Sequence, residues 1–194
     1  MCKIISVTNR QLSGNFMQRI NELASLGVPI ILREKDLSES EYTELAKKAL
    51  AITDNITLHT YINTARKLSH MKIHLPLRLL EERDISGFAT VGASVHSVEE
   101  ALKAQALGAT YITAGHIFAT DCKKGVPPRG LAFLKEVCKT VKIPVYAIGG
   151  ITPENACEAV SAGAYGICVM SAFMQTYDVR TVYNDFCTSL ITKN

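Results

Sequence analysis

The segment Gly115-His116-Ile117-Phe118-Ala119-Thr120-Asp121-Cys122-Lys123-Lys124-Gly125 puts an imidazole and two ammonium groups on one stretch of chain. It follows a β-rich run, Ala109 to Thr113, and leads to a helical pattern from Leu131 to Val141, so His116 is expected where a strand ends. An imidazole ordinarily titrates near neutrality and can both take and return a proton. Lysines on the loop behind it would draw in an anion. A second segment, Val145-Tyr146-Ala147-Ile148-Gly149-Gly150-Ile151, runs a strand into a glycine pair. Glycine lets a backbone N–H approach a phosphate closely, and Thr152-Pro153 opens a helix whose N-terminus favours an anion. Val169-Met170-Ser171-Ala172, after a further apolar run, offers more backbone N–H groups and a hydroxyl. Gly149, Gly150, Val169, Met170 and Ser171 are therefore the candidate phosphate site. Together the segments suggest acid–base chemistry on a phosphorylated small molecule. A plain turn is the competing reading of the glycines, and a solvated loop that of the lysines.

These groups need a scaffold. Strands are predicted at Lys3–Val7, Val28–Leu32, Ile56–Leu58, Lys72–Leu75, Ala89–Ala93, Thr110–Thr113, Pro144–Ile148 and Gly166–Val169. Helical patterns are predicted at about 14–26, 39–53, 61–69, 97–107, 130–142, 153–162 and 175–191, with a short one after Leu75. Several strand runs are continuously apolar, which suits strands covered on both faces. Ser38 with Glu41 and Ser97 with Glu100 read as capping boxes, Pro153 as a first helical residue, and Gly27, Gly108 and Gly163 as helix stops. The pattern predicts an α/β fold, a compact (β/α)8 TIM barrel, with the whole chain, 1–194, as a single domain. An open doubly wound sheet is the competitor; the chain lacks GxGxxG after the first strand and GxxxxGK[ST] anywhere.

Composition narrows the partners. Hydrophobic residues make up 47% and charged residues 20%, with a net charge of +3 and no basic cluster interleaved with aromatics, so neither nucleic acid nor a membrane is expected as a partner. Asn9, Arg10 and Gln11 cut the first apolar run too early for a signal peptide. The six cysteines are scattered without a CxxC pair and read as reduced thiols, which suits the cytoplasm. Homo-oligomerisation is compatible with the sequence but not specified by it.

In a barrel of this type the site lies at the C-terminal strand ends. His59, His74, His96 and His116 all fall there, and Arg33 and Lys35 share one face while Glu34 points to the other. A rim of cations and imidazoles suits an anionic substrate. A hydrogen-bonded structural role is expected for His59 and His74, although His74 also stands as a candidate substrate contact. The irregular spacing and absence of a neighbouring carboxylate argue against a metal site built from these histidines.

Leu32-Arg33-Glu34-Lys35-Asp36, Gly92-Ala93-Ser94-Val95-His96, the His116 loop, Ala147-Ile148-Gly149-Gly150-Ile151 and Val169-Met170-Ser171-Ala172 together resemble the thiamine-phosphate synthase superfamily. The resemblance runs from the second strand to the eighth and implies a compact (β/α)8 barrel. It contains two activities. The synthase joins a pyrimidine diphosphate to a thiazole phosphate and releases pyrophosphate, using Mg²⁺ held by aspartates. The positions that resemble those aspartates are occupied by His59-Thr60 and by Leu75-Pro76-Leu77-Arg78, without a carboxylate, and Ile31 stands where the synthase usually carries Gln. The second activity, thiazole tautomerase, is resembled more closely through the Gly-His-Ile-Phe-x-Thr-Asp-Cys-Lys-Lys-Gly loop and the His-Leu-Pro turn.

That resemblance implies an isomerase of thiamin biosynthesis with His116 as acid/base, acting on a dihydrothiazole carboxylate phosphate. Arg33, Lys35, Ser94, Lys123 and His74 become the candidate substrate contacts. No cofactor is expected, and Mg²⁺ only if the synthase reading holds. The alternatives are the synthase, and a non-catalytic paralogue that binds thiazole or thiamin phosphate for regulation.

Overall fold

The computed structural model describes residues 3–191. Cys2, counted above among the reduced thiols, lies outside the described residues, as does the Cys122 side chain. Cys138, Cys157, Cys168 and Cys187 are free thiols.

Eight parallel strands close into a barrel in chain order, and β8 pairs with β1. They are β1 (Lys3–Val7), β2 (Ile30–Leu32), β3 (Ile56–His59), β4 (Lys72–Pro76), β5 (Thr90–Val95), β6 (Tyr111–Gly115), β7 (Val145–Ile148) and β8 (Gly166–Val169). The helices are α1 (Phe16–Ser25), α2 (Glu39–Leu50), α3 (Ile62–Lys67), α4 (Leu77–Glu82), α5 (Val98–Ala106), α6 (Gly130–Thr140), α7 (Pro153–Ser161), α8 (Ser171–Gln175) and α9 (Val179–Ile191). Short 3₁₀ turns lie at Arg10–Leu12 and Asp121–Lys123. The expected (β/α)8 barrel is therefore the observed one.

The differences from expectation have local causes. β2 begins at Ile30, because Pro29 has no N–H to give a ladder and the Val28 N–H turns back to the Leu23 carbonyl. β5 and β6 run two residues further than predicted, with Ser94 opposite Thr113 and Val95 opposite Ala114. The polar residues Ser94 and Thr113 thus belong to strands, inside the barrel's upper half. The expected helix over 175–191 begins only at Val179, as α9, with the short α8 (Ser171–Gln175) ahead of it. Asp178 breaks it by accepting from the Thr181 N–H at 3.1 Å and its hydroxyl at 2.6 Å, which starts α9 afresh. The Ser38–Glu41 capping box is present. At Ser97 only half of it forms, since the Glu100 carboxylate accepts from the His96 N–H instead of that of Ser97.

Helices and strands share an apolar layer outside the barrel, while Ile5, Val7, Ile31, Tyr111, Tyr146 and Cys168 fill its interior. Tyr111 and Tyr146 meet edge to face, 5.6 Å between centroids. They can lie across the barrel because Gly92 and Gly166 face them. A Cβ on Gly92 would stand 2.3 Å from the Tyr111 ring, and one on Gly166 would stand 2.7 Å from that of Tyr146. The aromatic plug closes the lower half and leaves the upper half for a cavity.

Tyr42 of α2 holds the rim together on one side. Its hydroxyl donates to the Leu32 carbonyl at 2.7 Å and accepts from the His59 N–H at 2.8 Å, bridging the ends of β2 and β3 in a fully buried position. Tyr42→Phe leaves both backbone groups buried and unpaired, at roughly 1–3 kcal/mol each. The expected loss in urea unfolding is about 2–4 kcal/mol; a loss below ~0.5 kcal/mol would show that this bridge does not hold the rim.

Candidate active site

A cavity of about 1240 Å³ opens at the C-terminal ends of the strands. All the candidate residues named from sequence line it: Arg33, Lys35, His74, Ser94, His116 and Lys123, together with Gly149, Gly150, Val169, Met170 and Ser171. His59 and His96 line it too.

The floor is a pair of neutral imidazoles. His59 and His74 stack with centroids 5.5 Å apart. His74 uses both ring nitrogens, Nδ1 with the Tyr111 hydroxyl and Nε2 with that of Ser94, each at 2.9 Å. His59 Nδ1 meets the Thr60 hydroxyl at 2.6 Å. Burial, then the nearby Arg33 charge, lowers the His74 pKa to about 3. Burial, then His74, Arg33 and Lys35, holds His59 well below the ordinary 6.5. His74 therefore reaches a bound molecule as a neutral ring already engaged on both sides.

The cationic wall is set by a buried carboxylate that faces away from it. Thr8 Oγ1 accepts from the Arg33 N–H at 2.9 Å and donates to Glu34 Oε1 at 2.6 Å. Glu34 Oε2 accepts from the Arg10 N–H at 2.9 Å. With Glu34 anchored inward, Arg33 and Lys35 turn to the cavity, as the alternation predicted. Burial raises the Glu34 pKa, while its bonds to Thr8 and Arg10 work against that rise. Lys35 is lowered by burial first, then by the charges of Arg33 and Lys123. The crowding of Arg33, Lys35 and Lys123 disfavours the charged lysine, and a bound anion would relieve it.

The opposite wall joins the two glycines to the His116 loop. Gly149 has φ +99° and Gly150 φ +65°. A Cβ on Gly149 would lie 2.3 Å from His116 Cβ, and one on Gly150 would lie 2.3 Å from the Ala119 carbonyl oxygen. The Ile117 N–H donates to Ile148 O and the Phe118 N–H to Gly149 O, each at 2.9 Å. Glycine is thus required at these positions by the packing of one loop on the other, whatever the cavity binds; sequence had suggested phosphate approach or a plain turn. His116 is nearly buried, with its Nε2 3.2 Å from Val126 O. Lys123 and Lys124 stand exposed at the mouth.

Sequence reasoning missed several lining or supporting groups. Arg78 on α4 lines the cavity but is held by Glu82 at 2.9 Å. Thr113 is buried between Ser94 and His74, at 3.4 and 3.5 Å; a polar residue in an otherwise apolar strand was the available signal. Arg129, whose Nε donates to Gly115 O at 3.0 Å, had no signal, because its partner is a backbone group.

The carboxylates that line the cavity are Glu100 and Asp121. Glu100 is engaged by the His96 N–H, and Asp121 sits at the exposed mouth. Among the described residues no group of three or more His, Cys, Asp or Glu is placed to hold a metal ion. No helix of the described residues is long and apolar enough to cross a membrane.

A closed parallel barrel with its cavity at the C-terminal strand ends is the architecture of the (β/α)8-barrel enzymes. The chain belongs to the thiamine monophosphate synthase family, TMP-TENI, whose model matches residues 4–173. That membership places it in thiamin biosynthesis. It is 35% identical to the thiamine-phosphate synthase of Pyrococcus horikoshii over 92% of this chain and 89% of the relative. It is 31% identical to thiamine-phosphate synthase 2 of Streptococcus pneumoniae, over 97% and 95%. Among solved structures it resembles thiamine phosphate pyrophosphorylase from Pyrococcus furiosus, with a TM-score of 0.83, 31% identity, and 97% and 95% of the two chains covered. These relatives carry synthase names, which favour the synthase, the alternative expected from sequence, over the tautomerase expected there as the main reading.

The neutral floor has a consequence for stability. With folded pKa values below 6.5 for His59 and His74, the unfolded chain binds protons first as pH falls. The stability is complete above about pH 6.5 and falls below it at ~1.4 kcal/mol per pH unit for each histidine, down to about pH 3 for His74. Urea unfolding at pH 7, 6 and 5 should show this slope, and His74→Gln should flatten it. Equal slopes in parent and variant would refute a neutral His74.

Proposed function

We propose that this protein is a thiazole tautomerase, with His116 as its acid/base residue. The observation that carries the reading is the cavity's chemistry: an imidazole and several cations line it, while of its two carboxylates Glu100 accepts from a backbone N–H and Asp121 stands at the exposed mouth. The substrate is a dihydrothiazole carboxylate phosphate. Its backbone-rich end, bounded by Gly149, Gly150, Val169, Met170 and Ser171, receives the phosphate. Arg33 and Lys35 hold the carboxylate and stabilise charge that develops on the ring, Ser94 and His74 form the floor, and Lys123 closes the mouth. His116 removes the proton from ring C2 and a proton is returned at the exocyclic carbon. The double bonds shift between these carbons without gain or loss of electrons or atoms. Aromatisation drives the step, so the reaction as proposed needs no cofactor.

The relatives' names support a second reading, thiamine-phosphate synthase. That reaction expels pyrophosphate, whose developing charge must be neutralised. One experiment separates the two. Purified protein is given the dihydrothiazole carboxylate phosphate while the absorbance of the aromatic thiazole is followed. In parallel it is given pyrimidine diphosphate, thiazole phosphate and Mg²⁺ while pyrophosphate is measured. Turnover is expected in the first assay and none in the second; the reverse would establish the synthase. His116→Gln should lower tautomerase kcat by about 10²–10⁴-fold, and full activity in that variant would remove His116 from the mechanism.

A further inference from the structure

Three elements converge on the backbone that carries His116. His96, just beyond β5, places Nδ1 2.8 Å from the Gly115 carbonyl oxygen. Arg129, at the start of α6, donates Nε–H to the same oxygen at 3.0 Å, and its guanidinium is steadied over the Phe133 ring at 5.8 Å. The Arg129 N–H donates to His116 O, and the Gly130 N–H to Ile117 O, each at 3.0 Å. The loop between Ile117 and Arg129 is thus drawn together at its neck. Inside that loop the Val126 carbonyl oxygen faces His116 Nε2 at 3.2 Å.

A backbone carbonyl oxygen accepts and never donates. While this contact holds, Nε2 carries a proton, and in the neutral imidazole the lone pair belongs to Nδ1. Taken with the neck, this fixes both where the ring stands and which of its atoms is basic. We infer that Nδ1 of His116 is the atom that takes and returns the proton, with Arg129 and His96 as positioning residues that hold it in that tautomer. The inference rests on His116 being the acid/base residue proposed above. Arg129 and His96 act through the Gly115 carbonyl. Without Arg129 the neck loses a charge-assisted bond, and the ring is free to leave Val126. His59 and His74 do not compete for the role, since burial keeps both neutral and His74 has both nitrogens engaged.

The test reads the tautomer directly. Protein labelled with ¹⁵N in its histidines is examined by long-range ¹H–¹⁵N correlation along a pH series, and the His116 signals are identified by their loss in His116→Gln. Neutral His116 is expected to be protonated on Nε2. In Arg129→Met it should become a mixture of tautomers, with kcat for the dihydrothiazole substrate lowered about 10-fold or more and KM little changed. His96→Asn, which keeps a donor near Gly115, should retain more of that activity than His96→Leu. Neutral His116 protonated on Nδ1 in the parent protein overturns the inference. So does an unchanged tautomer and kcat in both Arg129→Met and His96→Leu. A parent protein inactive on the dihydrothiazole substrate overturns the functional reading instead, and the spectrum still decides independently which nitrogen holds the proton.

Discussion

The His116 loop and the Gly149-Gly150 loop pack so closely that a methyl group on either glycine would overlap the other chain. The site depends on that contact. It lets the β6 ladder continue to Gly115, opposite Ile148, and lets the Ile117 and Phe118 N–H groups bond across to the β7 end. His116 is thereby delivered to the cavity edge from the wall that also presents the glycine backbone. A side chain at Gly149 would displace the imidazole and the backbone together. The acid/base candidate and the candidate phosphate wall are therefore one piece of structure.

Charge is sorted by depth. The interior ends in aromatic rings and two imidazoles that burial keeps neutral, and the cations stand above them. The carboxylate between Arg33 and Lys35 in sequence, Glu34, is turned into the protein, where Thr8 and Arg10 satisfy it. Had it faced the cavity, it would have cancelled the potential that attracts an anion. The Thr8–Glu34 contact thus shapes the field of the site although neither residue lines it. Burial, Arg33 and Lys123 together disfavour the charged form of Lys35, which a carboxylate bound there would restore.

Sequence made the strand positions, the shared face of Arg33 and Lys35 with Glu34 on the other, and the strand-end histidines legible, because each follows from hydrophobic period or alternation. It did not reveal the Tyr42 bridge, the Arg129 and His96 contacts with Gly115 O, or the contact of His116 with Val126 O. Every one of these pairs a side chain with a backbone group distant in sequence, and a carbonyl oxygen is the same at every residue. The neutrality of His74 was hidden for a related reason: it depends on barrel closure over the ring. The glycine pair was found, but the packing that requires it was not, since that requires knowing which loop lies opposite.

Family membership and fold leave the activity open, because one barrel can serve either reaction and function resides in the site. The two reactions ask for different things. Expelling pyrophosphate demands charge neutralisation on a leaving group, and an imidazole fixed in one tautomer adds nothing specific to that. Moving a proton between two carbons of one ring demands a base whose lone pair points in a single direction and whose conjugate acid stays near both carbons. A histidine bonded through Nε2 to a carbonyl, on a loop tied at its neck, supplies a lone pair of fixed direction. The cations and backbone N–H groups would serve an anion in either reaction. It is the constraint on His116, more than the charge around it, that argues for proton transfer.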